Sequence, residues 1–118
     1  MADCLFCNII AGDEDADYVA RVDDVVAFRD KYPIAPTHVL VVPNTHIPSA
    51  HHLDDEHSPL LANCFALARD IAEREGIAEG YRVATNIGTR SGQAIAHLHF
   101  HVIGGRQLGG IDSASERG

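Results

Sequence analysis

The chain has 118 residues, of which 46% are apolar and 22% charged, as in an ordinary globular domain with one core. Its formal net charge is −8 and it has a single lysine, so we expect no basic patch for nucleic acid. No apolar run reaches the length of a membrane span, and the N-terminus lacks the pattern of a secretory signal. We therefore expect a cytoplasmic protein that binds neither nucleic acid nor membranes.

The N-terminal segment predicts a short helix over residues 4–11. Asp3 can cap the start of this helix, and Gly12 can end it. Cys4 and Cys7 are three positions apart, so a helical turn places both thiols on one side. The total of three cysteines argues against a disulfide framework in a reducing compartment.

The next segments predict strands. Residues 18–21 and 25–29 have the composition of two strands joined by a turn at Asp23-Asp24, which is a hairpin pattern. Residues 38–42 form a third strand that is apolar on both faces, so we expect it to lie in the centre of a sheet.

A long helix is predicted from Ser58 to Glu75. Pro59 is suited to its first turn and Gly76 to its end, although a start at Asp54 or Asp55 is also compatible with the pattern. Its apolar stripe consists of Leu60, Leu61, Cys64, Leu67, Ala68, Ile71 and Ala72. Cys64 lies in this stripe, and we interpret it as a packed core residue rather than a reactive thiol.

A fourth strand is predicted over residues 81–86, followed by a glycine-containing loop over residues 88–92. A fifth strand carries the alternating histidines of the segment 92–106. Five strands with short connections and one long helix predict an α+β fold, an antiparallel sheet with the helix on one face. The helix would cover Leu98, Phe100 and Val102, and would leave the histidine row on the open face.

Three histidines, His97, His99 and His101, alternate with apolar residues along this last strand. They can be solvent-facing residues of a half-buried strand. They can instead be three ligands of one metal ion, or include a nucleophile or general base. The alternation alone leaves these three interpretations open.

The segment from His97 to Gln107 resembles the signature of the histidine triad (HIT) family, in which three histidines alternate with apolar residues. Its Gly-Gly-Arg-Gln ending is similar to the Hint branch, the purine-nucleoside phosphoramidate hydrolases. The resemblance extends over about residues 4–108, and the matching segments are Phe28-Arg29-Asp30, Ala35-Pro36-Thr37-His38, Gly80-Tyr81-Arg82 and Gly92-Gln93. We interpret residues 1–118 as a single HIT domain with a loose tail over 109–118.

The resemblance implies a five-stranded antiparallel sheet with one long and one short helix, and a homodimer that joins two such sheets. It implies a purine nucleotide substrate, a nucleoside 5′-phosphate linked to an amine or to a second phosphate. In this family the middle histidine attacks the α-phosphorus. Water then releases the monophosphate from a nucleotidyl–histidine intermediate.

Carried onto this chain, the resemblance makes His99 the nucleophile, and His97, His101 and His38 complete the catalytic set. The implied nucleotide contacts are Asp30 for the ribose hydroxyls, Asn86, Gln93 and the amides of Gly92 to Ala94 for the phosphate, and Leu5, Phe6, Ile9 and Phe28 for the base. Ala94 replaces the usual serine, which removes one hydroxyl contact to the phosphate. Imidazole attacks only when neutral, so His99 needs a protein acceptor for the proton on its other nitrogen.

The Cys4-x-x-Cys7 pair resembles bacterial members of the family. The resemblance adds His46 and His97 as two further ligands, which together satisfy a tetrahedral, structural zinc ion. The chemical step needs no cofactor, since no carboxylate cluster for magnesium is apparent. A reduced thiol pair without metal remains one alternative, and a catalytic zinc site made of the three triad histidines remains another.

Other functions also stay open. The chain can be a dinucleoside polyphosphate hydrolase, a nucleotide-binding interaction module with incidental catalysis, or a zinc hydrolase. A uridylyltransferase is disfavoured, because the third motif position is glutamine in that branch and His101 here.

Overall fold

The computed structural model of the protein describes residues 4–112, and it shows the predicted five-stranded antiparallel sheet with two helices. In chain order the elements are α1 (Leu5–Ala11), β1 (Tyr18–Val22), β2 (Val25–Arg29), β3 (Thr37–Pro43), α2 (Ser58–Arg74), β4 (Tyr81–Ala84) and β5 (Phe100–Gly104). The strand order across the sheet is β1-β2-β3-β5-β4. β3 is therefore central, which explains why the run Val39 to Val42 is apolar on both faces and why every residue of the strand is buried.

One face of the sheet packs against α2 and forms the main core. Leu98, Phe100 and Val102 alternate toward this face, and the predicted stripe of α2 covers them. The buried members of the stripe are Cys64, Leu67, Ala68, Ile71 and Ala72, and Leu60 and Leu61 are half-buried. This part of the prediction is confirmed, including the burial of Cys64.

The opposite face was predicted to be open, and this is wrong. The short helix α1 lies on it, because its own apolar residues need a surface to pack against. The cluster consists of Cys4, Phe6, Ile9, Val26, Phe28, Leu40 and Val42. As a result His97 is 0% exposed and His99 only 6% exposed, so the interpretation of the triad as solvent-facing residues is also wrong.

The histidine segment is only partly a strand, which corrects the prediction of a continuous histidine strand. β5 begins at Phe100, so His101 lies on it whereas His97 and His99 precede it. In the preceding segment the amide of Leu98 donates to the carbonyl of Ile47 at 2.6 Å, and the hydroxyl of Thr85 donates to the carbonyl of His99 at 2.8 Å. These contacts replace the regular ladder, while the alternation of the side chains persists.

The ends of α1 show how local chemistry sets the boundaries. Cys4 is the N-cap of α1, and its Sγ accepts from the amide of Cys7 at 3.4 Å. Asp3, the predicted cap, lies outside the described residues. Gly12 ends the helix with a φ of 86°, as predicted.

Most other boundaries lie at the predicted residues or within two of them. α2 begins at Ser58 with Pro59 in its first turn, and a separate 3-10 turn at Asp55–His57 precedes it. β4 ends at Ala84, two residues before the predicted end. Among residues 4–112, no helix combines the length and apolarity needed to cross a bilayer. Most of the predicted tail over 109–118 lies outside the described residues.

Candidate active site and metal centre

His99 lies at the centre of the candidate active site. Its Nδ1 is 2.8 Å from the carbonyl oxygen of His97, which can only accept, so Nδ1 carries the proton and Nε2 has a free lone pair. Burial lowers the pKa of His99, only partly opposed by the hydrogen bond to His97, so the ring is neutral near pH 7. The ring of Phe6 lies edge-on at 5.0 Å between centroids and holds the imidazole in place. His99 therefore has the tautomer that a nucleophile requires.

His38 and His101 form a hydrogen-bonded pair beside His99. The amide of Ile34 donates to Nδ1 of His38 at 3.2 Å, so this nitrogen carries no proton. The proton of neutral His38 is then on Nε2, which lies 2.8 Å from Nδ1 of His101 and 3.3 Å from Oδ2 of Asp30. Since Nδ1 of His101 accepts this proton, His101 carries its own proton on Nε2.

Electrostatics keeps this pair neutral. Burial is the main cause that lowers the pKa of His38, although the carboxylate of Asp30 opposes it. Burial, followed by the neighbouring His99 and His38, lowers the pKa of His101 to about 4. The centroids of the His99 and His101 rings are 5.1 Å apart, so the two neutral imidazoles are in direct contact.

Two clusters in the described residues have donor atoms close enough for one metal ion. The first consists of Cys4, Cys7, His46 and His97, and the second of Asp30, His38 and His101. The tautomers distinguish them. A metal on Nε2 of His38 would place a proton on Nδ1, facing the N–H of Ile34, so the second cluster is better described as a hydrogen-bonded chain.

In the first cluster, by contrast, the hydrogen bond of His97 leaves a lone pair that faces the other possible ligands. Nε2 of His97 lies 2.8 Å from the carbonyl of Pro43 and donates to it, so the lone pair is on Nδ1. That nitrogen lies 3.4 Å from Sγ of Cys4, 3.5 Å from Sγ of Cys7 and 3.2 Å from Nδ1 of His46. A carbonyl that holds the outer N–H of a ligating histidine is the usual support of a metal site.

The spacing of these atoms also fits a tetrahedral ion. Bond lengths of about 2.3 Å to sulfur and about 2.0 Å to nitrogen place neighbouring ligand atoms about 3.3–3.7 Å apart. The distance from Sγ of Cys7 to Nδ1 of His46 is 3.4 Å. The two thiols and two imidazoles of the described chain can therefore hold one metal ion.

The predicted phosphate contacts lie in the loop before His97, but their donors differ in availability. The side-chain amide of Gln93 donates to the carbonyls of Pro48 and Ile95 and accepts from Gly88, so both of its N–H groups are occupied. The backbone amides of Gly92 and Gln93 donate to Thr89 and Gly88. Within residues 4–112, no backbone carbonyl accepts a hydrogen bond from the amide of Ala94.

Asn86 lies beside this loop. Its Nδ2 would be 3.7 Å from a Cβ built on Gly92, which has a φ of 100°. The side chain of Asn86 is therefore close to Gly92, and within the described residues neither it nor the amide of Ala94 has a hydrogen-bond partner.

The residues predicted to line the base pocket form one apolar wall. Phe6, Ile9 and Phe28 are 5%, 6% and 3% exposed, and the rings of Phe6 and Phe28 are 5.4 Å apart in an edge-to-face contact. Leu5 is 42% exposed at the start of α1. Only Leu5 therefore offers a large open surface to a base, and the other three support it from the core.

The carboxylate of Asp30, which the resemblance predicts to bind the ribose, contacts two groups of the protein. Its Oδ1 accepts the amide of Tyr32 at 2.8 Å, and its Oδ2 faces His38. The carboxylate is thus oriented by the loop that follows β2, at the edge of the histidine pair.

Sequence reasoning missed the backbone groups that set the histidine tautomers, namely the amide of Ile34 and the carbonyls of Pro43 and His97. It also missed the contact of Arg106, whose guanidinium donates to the carbonyl of Ile34. Every residue has the same backbone amide and carbonyl, so the residue types do not indicate which of these groups contact the histidines. Only the Gly-Gly-Arg motif could have indicated the contact between Arg106 and Ile34.

A model of the family described as "Scavenger mRNA decapping enzyme C-term binding" matches residues 3–114. Among curated proteins, the purine nucleoside phosphoramidase of Escherichia coli K12 is 44% identical over 106 residues, covering 89% of each chain. The HIT-like protein of Chlamydia pneumoniae is 38% identical over 107 residues, covering 91% of this chain and 97% of that one.

The chain is also similar to solved structures of histidine triad proteins. The HIT family hydrolase of Legionella pneumophila has a TM-score of 0.87 at 42% identity and covers 89% of this chain and 95% of its own. A histidine triad protein from Clostridium difficile has a TM-score of 0.89 at 34% identity, with 95% and 98% of the two chains covered. The chain therefore belongs to the histidine triad family.

Proposed function

We propose that the protein is a nucleotide hydrolase that cleaves purine nucleoside 5′-phosphoramidates, such as adenosine 5′-phosphoramidate, with His99 as its nucleophile. The observation that carries this proposal is the hydrogen bond from Nδ1 of His99 to the carbonyl of His97, which leaves Nε2 unprotonated beside the N–H of His101. The 44% identical relative from Escherichia coli is a purine nucleoside phosphoramidase, which supports the choice of substrate.

The reaction proceeds in two displacements at phosphorus. Nε2 of His99 forms a bond to the α-phosphorus while the phosphorus–nitrogen bond breaks, and the departing amine takes up a proton. Water then attacks the same phosphorus, gives up a proton, and releases the monophosphate and free His99. The proton consumed in the first step is thereby replaced in the second.

The surrounding residues stabilise charge and hold the substrate. The Nε2–H of His101, held in that tautomer by His38, donates a hydrogen bond to the phosphoryl group or the leaving nitrogen. The amide of Ala94 and the side chain of Asn86 contact the phosphate, while Gln93 holds the loop through its own hydrogen bonds. Asp30 binds the ribose hydroxyls, and Leu5, backed by Phe6, Ile9 and Phe28, contacts the purine.

Zinc is the metal best suited to the Cys4, Cys7, His46 and His97 cluster, because thiolate and imidazole ligands in a tetrahedral set favour it. Bound zinc would supply a structural link and no chemistry. The imidazole of His97 would then be a metal ligand, and its backbone carbonyl would orient His99. The first histidine of the triad therefore has a structural role and takes no part in the chemical step.

We also propose a cytoplasmic homodimer. β4 is an edge strand that pairs only with β5 within the described chain, so a second copy can add its own β4 there and extend the sheet. Phe65 of α2 is 48% exposed although its ring packs 5.4 Å from that of Phe100, which offers an apolar contact on one face of the sheet.

The test is monophosphate release from adenosine 5′-phosphoramidate by the wild type and by His99→Ala, each with and without a zinc chelator. We expect His99→Ala to lose at least about a thousandfold in kcat, because the covalent route is removed. Free imidazole added to His99→Ala should restore part of the rate by entering the vacated space. His51→Ala, which changes an exposed histidine outside the site, is the matched control and should retain full activity.

Retained turnover in a folded His99→Ala variant would contradict the proposed mechanism. Turnover that stops at once on chelation, while the fold persists, would favour a zinc hydrolase instead. If dinucleoside polyphosphates are cleaved faster than phosphoramidates, the substrate class is wrong although the nucleophile stands. No turnover on either substrate, with intact nucleotide binding, would favour an interaction module.

A further inference from the structure

The Gly104-Gly105-Arg106 motif ends the histidine segment, and the proposed function gives none of its residues a role. Thr37 of β3 pairs with Gly104 of β5, so the chain after Gly104 runs beside the loop before Thr37. Gly105 has a φ of 98°, and a Cβ on it would lie 2.9 Å from Cβ of Pro36. Only glycine allows the two segments to approach this closely.

The close approach brings Arg106 to the loop that precedes His38. Its Nη2 and Nε donate to the carbonyl of Ile34 at 2.9 Å and 3.3 Å, and its Nη1 donates to the carbonyl of Gln107 at 3.0 Å. The planar guanidinium therefore clamps the carbonyl of Ile34 from one side.

The amide of the same residue, Ile34, donates to Nδ1 of His38 at 3.2 Å. A nitrogen that accepts an N–H cannot also carry a proton, so this bond places the proton of His38 on Nε2. His38 then donates to Nδ1 of His101 at 2.8 Å, and His101 must carry its proton on Nε2. The tautomers of both histidines follow from one backbone amide.

We propose that Arg106 is a positioning residue that holds Ile34 so that its amide sets the tautomers of His38 and His101, and thereby directs the Nε2–H of His101 to the substrate. This proposal rests on the proposed function for its effect on catalysis, but the tautomers themselves can be observed without turnover. The guanidinium of Arg106 donates to the carbonyls of Ile34 and Gln107, so its effect on the histidines would pass through the loop.

The loop has other supports, so loss of Arg106 should not unfold it. The amide of Asp30 donates to the carbonyl of His38 at 2.9 Å, and the amide of Tyr32 donates to the carboxylate of Asp30 at 2.8 Å. We therefore expect Arg106→Met to fold normally and to loosen only the part of the loop around Ile34.

The first measurement is the ¹⁵N NMR spectrum of the imidazole nitrogens, which distinguishes protonated from unprotonated ring nitrogens. In the wild type, Nδ1 of His38 should be unprotonated and Nε2 of His101 protonated. In Arg106→Met these signals should shift toward a mixture of tautomers, whereas the signals of His99 should not move. Arg82→Met is the matched control, since Arg82 also donates to a backbone carbonyl, that of Gly109 at 2.8 Å, but is not connected to the histidines.

The second measurement compares leaving groups. We expect Arg106→Met to lower kcat on adenosine 5′-phosphoramidate about tenfold, a part of the 10²–10⁴-fold effect of proton donation to a leaving group. A p-nitrophenyl ester of the same nucleotide, whose leaving group needs no proton, should lose less than about twofold. KM should stay unchanged, and Arg106→Lys, which keeps one donor, should be intermediate.

Unchanged tautomers in a folded Arg106→Met variant would overturn the proposal, whatever the kinetics. Equal losses on both substrates with unchanged tautomers would assign Arg106 a merely structural role. If the wild type turns over neither substrate, the proposed function fails, and the NMR result alone still decides whether Arg106 sets the tautomers. Gly105→Ala, which pushes on Pro36, should cause the same NMR shifts by an independent route.

Discussion

Four buried or half-buried histidines of this protein have different chemistry because each contacts a different backbone or ring partner. His97 donates through Nε2 to a carbonyl and keeps a ligand lone pair on Nδ1, whereas His99 donates through Nδ1 and keeps a nucleophilic lone pair on Nε2. His38 accepts from an amide and His101 accepts from His38. The proposed roles of these histidines as metal ligand, nucleophile and hydrogen-bond donor thus follow from the contacts of each ring.

A second residue-scale feature is the ion pair of Arg29 and Glu75. The guanidinium donates to both carboxylate oxygens at 2.9 Å and 3.1 Å, and Thr37 donates to one of them at 3.3 Å. The hydrogen bond from Arg29 is the largest cause that lowers the pKa of Glu75, and partial burial opposes it. The pair joins β2 to the residue that follows α2.

We predict that Glu75→Gln lowers the free energy of unfolding at neutral pH by about 1 kcal/mol or less, because Arg29 is partly exposed and solvent screens the pair. The folded pKa of Glu75 lies below its unfolded value, so its contribution is complete above the unfolded pKa. It is lost as the pH falls through the folded pKa. Urea unfolding at neutral and acid pH measures this, with Glu73→Gln as an exposed control, and a difference between wild type and Glu75→Gln that grows in acid would contradict it.

The cysteines offer a test of burial. Cys64 is 1% exposed, and burial raises the pKa of its thiol to about 12. We predict that iodoacetamide modifies Cys64 only after global unfolding, since the thiolate is the reactive form. Mass spectrometry of the alkylated peptides would show this, with half-buried Cys7 as the internal comparison in chelator-treated protein. Modification of native Cys64 at the rate of Cys7 would contradict the predicted protection.

At the scale of elements, α1 determines the environment of the triad. It packs on the sheet face beside which His97 and His99 lie, and its Phe6 contacts both rings at 6.0 Å and 5.0 Å between centroids. The thiols of Cys4 and Cys7 at the start of α1 meet His97 at the same place. A helix of 7 residues is too short to be stable by itself, so these contacts must hold it.

We therefore predict that removal of the metal loosens α1 and lowers activity without unfolding α2. Hydrogen exchange in the chelator-treated protein should show faster exchange in residues 5–11 and unchanged exchange in the core of α2. The decrease in kcat should be partial, because His97 still offers its carbonyl to His99. Unchanged exchange in α1 after complete metal removal would show that the cluster does not anchor the helix.

Element boundaries were predicted well where local residues decide them. Gly12 and Gly76 end their helices with φ values of 86° and 74°, and Asp23 turns the hairpin with a φ of 55°. The start of β5 was predicted too early, because His97 to His99 have strand-like alternation but are held by Ile47 and Thr85. Those contacts come from distant parts of the chain, which a local pattern does not contain.

In the molecule as a whole, the two faces of the sheet pack against different helices. The α2 face carries the main apolar core, and the α1 face carries the second apolar cluster, beside which lie His99 and the four residues that can hold a metal ion. The candidate site lies where the central strands β3 and β5 meet the loops that flank them. His38 lies on β3 and His101 on the adjacent strand β5. The two residues are diagonal neighbours, since His38 pairs with Ile103 and Leu40 pairs with His101, and their rings are hydrogen-bonded at 2.8 Å.

The proposed homodimer predicts a mass of about twice 12.7 kDa by sedimentation equilibrium. Phe65→Glu should shift the protein toward monomers, because a charge would replace an exposed apolar ring that packs on Phe100 of β5, the strand next to β4. Val22→Glu, which introduces the same charge at the opposite edge of the sheet, is the matched control. A monomeric wild type, or dissociation caused by Val22→Glu and not by Phe65→Glu, would contradict the proposed interface.

The amino-acid sequence by itself determined the strands, the helix stripe, the central position of β3, and the residue types gathered at His97 to His101. These features follow from periodicity and from local backbone preferences, which neighbouring residues carry. Tertiary structure alone decided that α1 lies beside His97 and His99, that the side-chain amide of Gln93 is hydrogen-bonded to the backbone, and that Ile34 contacts both His38 and Arg106. It also decided each histidine's tautomer, because a proton's position depends on the partner across the fold and leaves no trace in the order of residues.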